Sequence, residues 1–483
     1  MSQVKSKPIW KIKSKDDILL YHIELDKRLK LFEVSADLIK CKNCKTKETH
    51  ENEIIQFHNN IVRATSDSMC IDNHVTGNNN ISKPKVIPGW NVECDNAREQ
   101  SLLWHFIWKQ CDKPVQDTVY DIMVTTRSKY HYLLRGLKKK RNKHIRQSIS
   151  KDMLKDKPKD YWKSVRSLRK NNYNSTPVID GIHDQSEIAN HFMNKYCTLY
   201  NCVNDPSDAM NILSKRIDER IYNICDNDSI DDSIHCHVIS MCNVKNAVAQ
   251  LKPDTINEDG NVLSNNFIHG SDLLFIYIAT LLELMISHSF APPDFILSSI
   301  IPLPKNTKMA LSDSDKYRSI AISSLLSKIF DHIIIEQQSK YLITSDYQFG
   351  FKPKSSTTLC TTMVLETIQY YTMSGAKPVY LLLLDASKAF DKVSYNMLFT
   401  TLLDNNVCSR IVKLLYFMYI NQSCYVKWLN NCSNQFHVSN GVKQGGVISP
   451  LLFSLYIDKL FFKLKNLGLG CHVGLIFMPP IFH

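Results

Sequence analysis

The residue types best suited to chemistry gather in the last third of this 483-residue chain. Tyr380, Leu381, Leu382, Leu383 and Leu384 run straight into an acid, Asp385, and a second acid follows at Asp391. An apolar run of this length, with Pro378 before it and polar residues after it, predicts a buried strand feeding a helix or turn. Asp385 would then stand at the carboxyl end of a central strand. A carboxylate buried there needs a partner, and a divalent cation held by oxygen ligands is one. An Asp that caps the next helix is the other reading. Upstream, the apolar stretch 296–303, interrupted by Pro302, predicts a strand that leaves its sheet near an edge. Residues 317–320 begin a second strand after a polar loop. Lys305 and Arg318, at the end of one strand and the start of the other, would meet near one point. Two positive side chains there can clamp a triphosphate or a nucleic-acid backbone, or simply flank a hairpin in solvent.

The elements that must position these residues read as mostly helical. Residues 272–288 predict a long apolar helix, and 323–341 and 358–371 predict two more, the latter capped by Ser356 or Thr357. Residues 396–424 supply helical core, and 422–428 with 435–439 a hairpin, after which Gly441, Gln444, Gly445 and Gly446 make a compact turn. The longest apolar tract, 273–286, is 14 residues and contains Glu283, too short for a membrane span. Near the start, Ile18, Leu19, Ile23, Leu25, Leu29 and Phe32 predict an amphipathic helix over 18–40. Cys41 and Cys44, with His50 and His58 beyond, form half of a zinc pattern without a second pair at ligand spacing. Residues 73–88 read as a linker. A helix follows whose Leu103, Phe106 and Ile107 are expected to face inward. The next stretch peaks in the basic run Lys138, Lys139, Lys140, Arg141, Lys143 and Arg146. Such a helix can lie along a phosphate backbone; a solvated face or a nuclear localisation run is the alternative.

Composition sets the frame. With 44% hydrophobic and 22% charged residues the chain is a folded soluble protein with room for two to four domains. Its net charge of +12 suits a polyanionic partner. The first residues lack the apolar core of a secretory signal, and fifteen scattered cysteines favour free thiols in a reducing compartment. Intracellular placement is therefore expected, with the nucleus suggested by the basic run.

The sequence LLLLDASKAFDKV (381–393) resembles the first palm motif of reverse transcriptases from non-LTR (LINE-type, jockey/CR1-like) retrotransposons. SNGVKQGGVISPLL (439–452) with LYIDKL (455–460) is similar to the second, and IIPLPKN (300–306), DKYRSIAI (315–322) and QFGFKPKSST (348–357) follow the family's order. The resemblance implies an α+β fold: right-hand polymerase fingers and a partial palm, preceded by a mostly helical connector. The expected divisions are an N-terminal helical segment (1–72), a basic connector (73–170), a helical approach to the fingers (171–290), fingers (291–378), partial palm (379–470) and a divergent tail (471–483). It also implies RNA-directed DNA polymerase activity with Mg2+, an RNA template and a DNA primer, and no membrane partner.

By residue, the resemblance makes Asp385 the catalytic acid and metal ligand, with the Ala386 carbonyl beside it. Arg318, and less directly Lys305, would touch the nucleotide's phosphates. Phe390 would lie under the sugar, and Gln444 and Gly445 near the base or template. Asp391 reads as a turn acid. Lys443 and Gly446 stand where the family usually has Pro and Ser. After residue 474 the chain departs from the family, whose Tyr-Ala-Asp-Asp acids would complete the metal site, and no Asp or Glu follows Asp458. The expectation is a truncated polymerase relative, inactive alone; a non-catalytic RNA- or DNA-binding remnant, or a module co-opted for such binding, is the alternative.

Overall fold

The computed structural model describes residues 14–41, 47–68, 90–154, 178–203, 207–226, 238–257, 262–305, 311–373, 379–473 and 476–478. Cys44 and residues 73–88 of the expected linker lie outside these. The chain divides into two units, residues 73–176 and the remainder.

In the smaller unit, helix α4 (Val92–Gln110) pairs with α5 (Thr118–Leu154). Asn91 caps α4 by accepting from the Cys94 amide at 3.0 Å. The expected inward face does not hold: Leu103 and Phe106 are 50% and 60% exposed, and the buried positions are Cys94 and Ala97. Two helices share one seam, and here small residues near the start of α4 occupy it.

The larger unit begins with α1 (Lys15–Leu29), α2 (Ala36–Lys40) and α3 (Lys47–Asp67). Ser14 and Asp17 close a reciprocal capping box on α1. Its buried stripe is Tyr21, Leu25 and Leu29, four residues apart, while Leu19 and Ile23 are exposed. The helix stops at Leu29 and a new cap at Ser35 starts α2, so the single helix expected from Ile18 onward is two. There follow α6 (Gln185–Leu199), α7 (Ser207–Asp226), α8 (Met241–Ala249), the short α9 (Ser264–Ile268), α10 (Asp272–His288) and α11 (Pro293–Ile296). Helix α10 is apolar around most of its circumference and so is enclosed: α1, α3 and α8 pack on it. No helix among the described residues is long and apolar enough to cross a membrane.

Strands β1 (Ser298–Pro304) and β2 (Tyr317–Ser323) are antiparallel, with Leu303 opposite Arg318. After α12 (Leu325–Gln337), α13 (Thr357–Met373), α14 (Tyr395–Asp404) and α15 (Ser409–Ile420), β3 (Ser423–Trp428) joins β1 in parallel at Ser298, Ser299 and Ile300. Pro302 therefore falls beyond that pairing, where its missing N–H costs no ladder bond. Short strands β4 (Asn431–Cys432) and β5 (Phe436–His437) complete the sheet. Helix α16 (Ser449–Asn466) and the hairpin β6 (Cys471–Val473) and β7 (Ile476–Met478) follow.

Two apolar clusters hold this unit. The larger runs through α1, α3, α8, α10, α12, α14, α15 and α16. The smaller joins α6 to the sheet, with Phe192 against Tyr196, Tyr317 and Trp428 at ring separations of 5.3–5.8 Å. The buried strand expected at 380–384 is absent. Those residues belong to no strand or helix, with Leu382, Leu383 and Leu384 each at least 80% exposed. An apolar run becomes a buried strand only with neighbours on its edges and faces, and no described strand pairs with this one. Free thiols are the rule among the described cysteines, with Cys408, which is disulfide-bonded, the exception.

Candidate active site

The hairpin β1–β2 does what its spacing predicts. The Lys305 amide donates to the Lys316 carbonyl at 2.7 Å, just past the last ladder pair, so Lys305 stands opposite Lys316 and diagonally from Arg318, which faces Leu303. Both side chains are exposed and line a cavity of about 240 Å3 whose wall also includes Lys195, Lys388, Asp391 and Gln444. Lys195, from α6, is ion-paired to Asp315 at 2.6 Å and donates to Ser314 Oγ at 2.7 Å, and this pairing holds the Asp315 carboxyl below its usual range. The Lys305 ammonium donates to the Asp315 carbonyl at 2.8 Å. Arg318 has no ion pair among the described residues.

The turn after β5 forms the other wall. Its backbone is stitched to three elements: Ser439 and Asn440 amides donate to the Tyr200 carbonyl, Gly441 and Val442 amides to Val393 and Phe390, and the Ala321 amide of β2 donates to the Gln444 carbonyl at 2.7 Å. Gly445 is needed here, since its φ is +114° and a Cβ would sit 2.7 Å from the Ala321 oxygen. Gly441 is likewise constrained, with φ +93° and the Asp391 carbonyl 2.8 Å from any Cβ. Lys443 tethers the turn through its side chain: its Nζ donates to the Ile296 carbonyl at 3.3 Å. Its charge also acts on buried Asp331 of α12, whose carboxyl burial pushes up to about 6 and Lys443 pulls back.

Asp391 organises the two walls. It sits in a single 3-10 turn, Phe390–Lys392, as a turn acid should, but it is buried, and the Gln444 side-chain nitrogen donates to its two carboxylate oxygens at 2.9 and 3.0 Å. Burial raises its pKa, against the pull of Tyr200, Gln444, Lys388 and Lys305. Asn440 Nδ2 also donates to the Asp391 carbonyl at 2.6 Å. The sequence offered no sign of Lys195 or Tyr200 in this role, both lying on or just after a helix far upstream. Lys388 adopts φ +55°, a conformation a lysine pattern does not advertise.

Other expected residues stand apart from this arrangement. Asp385 and Ala386 are exposed on the unpaired segment. Phe390 is half-buried, edge-on to Phe453 at 4.8 Å and beside Phe351 at 5.7 Å. Asp458 fastens the 343–348 loop by accepting from the Ser345 hydroxyl and amide at 2.7 and 3.0 Å. Among the described residues no cluster of three His, Cys, Asp or Glu ligand atoms includes Asp385 or Asp391. Two magnesium ions need converging carboxylates, and these residues do not fit a two-ion site. In the other unit Lys138, Lys139, Lys140, Arg141, Lys143 and Arg146 all fall on α5, and Lys139, Lys140 and Lys143 are exposed.

A family model described as reverse transcriptase (RNA-dependent DNA polymerase) matches residues 303–474. The chain is 22% identical over 192 residues to a retrovirus-related Pol polyprotein from the type-1 retrotransposable element R2 of Nasonia vitripennis, covering 40% of this chain and 18% of that protein. It is 27% identical over 183 residues to the corresponding polyprotein of the type-2 element R2DM of Drosophila melanogaster, covering 38% and 17%. A probable RNA-directed DNA polymerase from transposon BS of Drosophila melanogaster is 24% identical over 201 residues, covering 38% and 20%. The chain thus spans a fifth or less of the length of each of these relatives. Within the mixed α and β region that carries β1, β2 and the Gln444 turn, this chain is a distant homologue of the reverse transcriptase domains of non-LTR retrotransposons.

Proposed function

We propose that this polypeptide derives from a LINE-type retrotransposon reverse transcriptase and presents the nucleotide-binding side of that enzyme, binding RNA and DNA without extending a primer by itself. The observation that carries the reading is the convergence of Lys305, Arg318 and Lys388 on a cavity walled by Asp391 and Gln444, while Asp385 stands exposed and belongs to no group of three potential metal ligands among the described residues. Cations so placed neutralise a triphosphate or a template backbone. Gln444 donates to Asp391 through its side-chain nitrogen, and its side-chain oxygen can accept from a base or sugar. Phe390, braced by Phe453, would limit space at the sugar. The basic face of α5 would add sequence-independent phosphate contacts.

Primer extension on an oligo(dT)-primed poly(rA) template with Mg2+, run alongside Asp385→Asn, tests the catalytic half of this proposal. No extension by either is expected; extension that Asp385→Asn abolishes would overturn it. Binding of a fluorescent deoxynucleotide and of a labelled RNA–DNA duplex tests the other half. The expected result is an affinity that falls as salt rises and that Arg318→Ala weakens; no binding at low salt would overturn it.

A further inference from the structure

Away from the cavity, three potential metal ligands from three helices meet. Cys41 follows the last residue of α2, His50 lies in the first turn of α3, and His288 is the last residue of α10. Their ligand atoms lie within 4.8 Å of one another, and the two imidazole rings are edge-on at 5.3 Å. Zinc bonds of about 2.0–2.3 Å in a tetrahedron set ligand atoms about 3.3–3.8 Å apart, a distance that small side-chain rotations close from here.

The surroundings of His288 point to a ligand. Its Nδ1 lies 2.9 Å from the Leu284 carbonyl and 3.0 Å from Ser287 Oγ; the carbonyl can only accept, so the bond to it puts the proton on Nδ1. Its Nε2 is then an acceptor, yet it is buried with no hydrogen-bond partner among the described residues. A ring nitrogen fixed by a backbone carbonyl, with its opposite lone pair unsatisfied in the interior, is the arrangement in which histidines hold metal. His58, the other histidine of the local sequence pattern, has a different place: it contacts Asn59 at 3.1 Å and packs against Phe295.

We propose that Cys41, His50 and His288 bind one Zn2+ ion, with a solvent molecule as fourth ligand, and that the ion ties the end of α2 and the start of α3 to the end of the central helix α10. Thiolate plus two imidazoles is a zinc donor set, and three protein ligands leave the fourth position open. Because the ligands come from segments distant in sequence, binding would stabilise the folded unit in proportion to its affinity.

The full-length chain, stripped with chelator and titrated with Co2+, is expected to show a thiolate-to-cobalt charge-transfer band with the visible bands of tetrahedral Co2+, both displaced by about one equivalent of Zn2+. Cys41→Ser should abolish the charge-transfer band. His50→Gln and His288→Gln should each weaken Zn2+ binding at least tenfold, since losing even a group behind a ligand costs about 10–100-fold. Cys111→Ser, an exposed thiol of the other unit, should change neither. Absence of the band in the wild-type chain would overturn the proposal whatever the variants do. So would its persistence in Cys41→Ser. Circular dichroism identifies any variant that fails to fold, and the wild-type titration then decides alone.

Discussion

The turn 439–446 and the segment 379–386 carry residues expected to serve one reaction, yet their physical situations are opposite. In the turn, backbone amides find acceptors on Tyr200, Val393 and Phe390, and the Gln444 side-chain nitrogen donates to Asp391. In the segment, apolar side chains stand in water and no described strand pairs with the backbone. The cationic wall and its turn are thus built from contacts the chain makes with itself. The acid-bearing segment depends on neighbours that the described residues do not supply. Chemistry that needs both halves needs the second one supplied; binding that needs only the first does not.

That contrast can be broken or sharpened by substitution. The largest effect is expected beneath the sheet that carries the cationic wall: Phe192→Ala removes a fully buried ring from the smaller cluster and should cost about 3–5 kcal/mol in denaturant unfolding. Gly445→Ala forces a side chain against the Ala321 carbonyl at positive φ and should cost about 3 kcal/mol. A loss below about 1 kcal/mol would mean the turn is not pinned to β2 as described.

Asp331 gives a pH test of the helix that backs the same turn. Its carboxyl ionises at about 6 in the fold and near 3.8 when unfolded, so the unfolded chain sheds the proton first. Stability should therefore fall as pH rises from 3.8 to about 6, by about 2 kcal/mol, and Asp331→Asn should flatten that decline when unfolding is followed against pH. Arg318→Ala should weaken deoxynucleotide binding about tenfold, the worth of one hydrogen bond between charged groups at about 1.5 kcal/mol. The smallest effect is expected in the contrasting segment. Leu382→Ser and Leu383→Ser should each move stability by less than about 0.5 kcal/mol, as exposed positions do. A loss of about 2–5 kcal/mol from either would show a buried strand there after all.

Much of the site was legible because its signals are local. A polar loop between two apolar runs placed Lys305 and Arg318 together, since antiparallel register follows from a hairpin. Glycines at 441 and 445 mark a backbone that no other residue tolerates. The part that was not legible is long-range. Nothing near Lys195 or Tyr200 announces the partners they find across the fold. His50 pointed toward Cys41, but its second histidine comes from α10 rather than from His58 in the next turns of its own helix. The run at 380–384 fails for a related reason: hydrophobic pattern states what a strand would like to bury, and it is silent on whether neighbours exist to cover it. Phe106 fails likewise, being apolar at helical spacing in a unit of two helices with one seam.

The leucines from 381 to 384 have a consequence for the fate of the polypeptide in a cell. Short stretches that are apolar, uncharged and unpaired template cross-β association between copies and are what holdase chaperones grasp. Steady-state abundance would then be governed by proteostasis at that one stretch more than by the strength of the helical core, and a single charge placed within it would act as a gatekeeper against clumping.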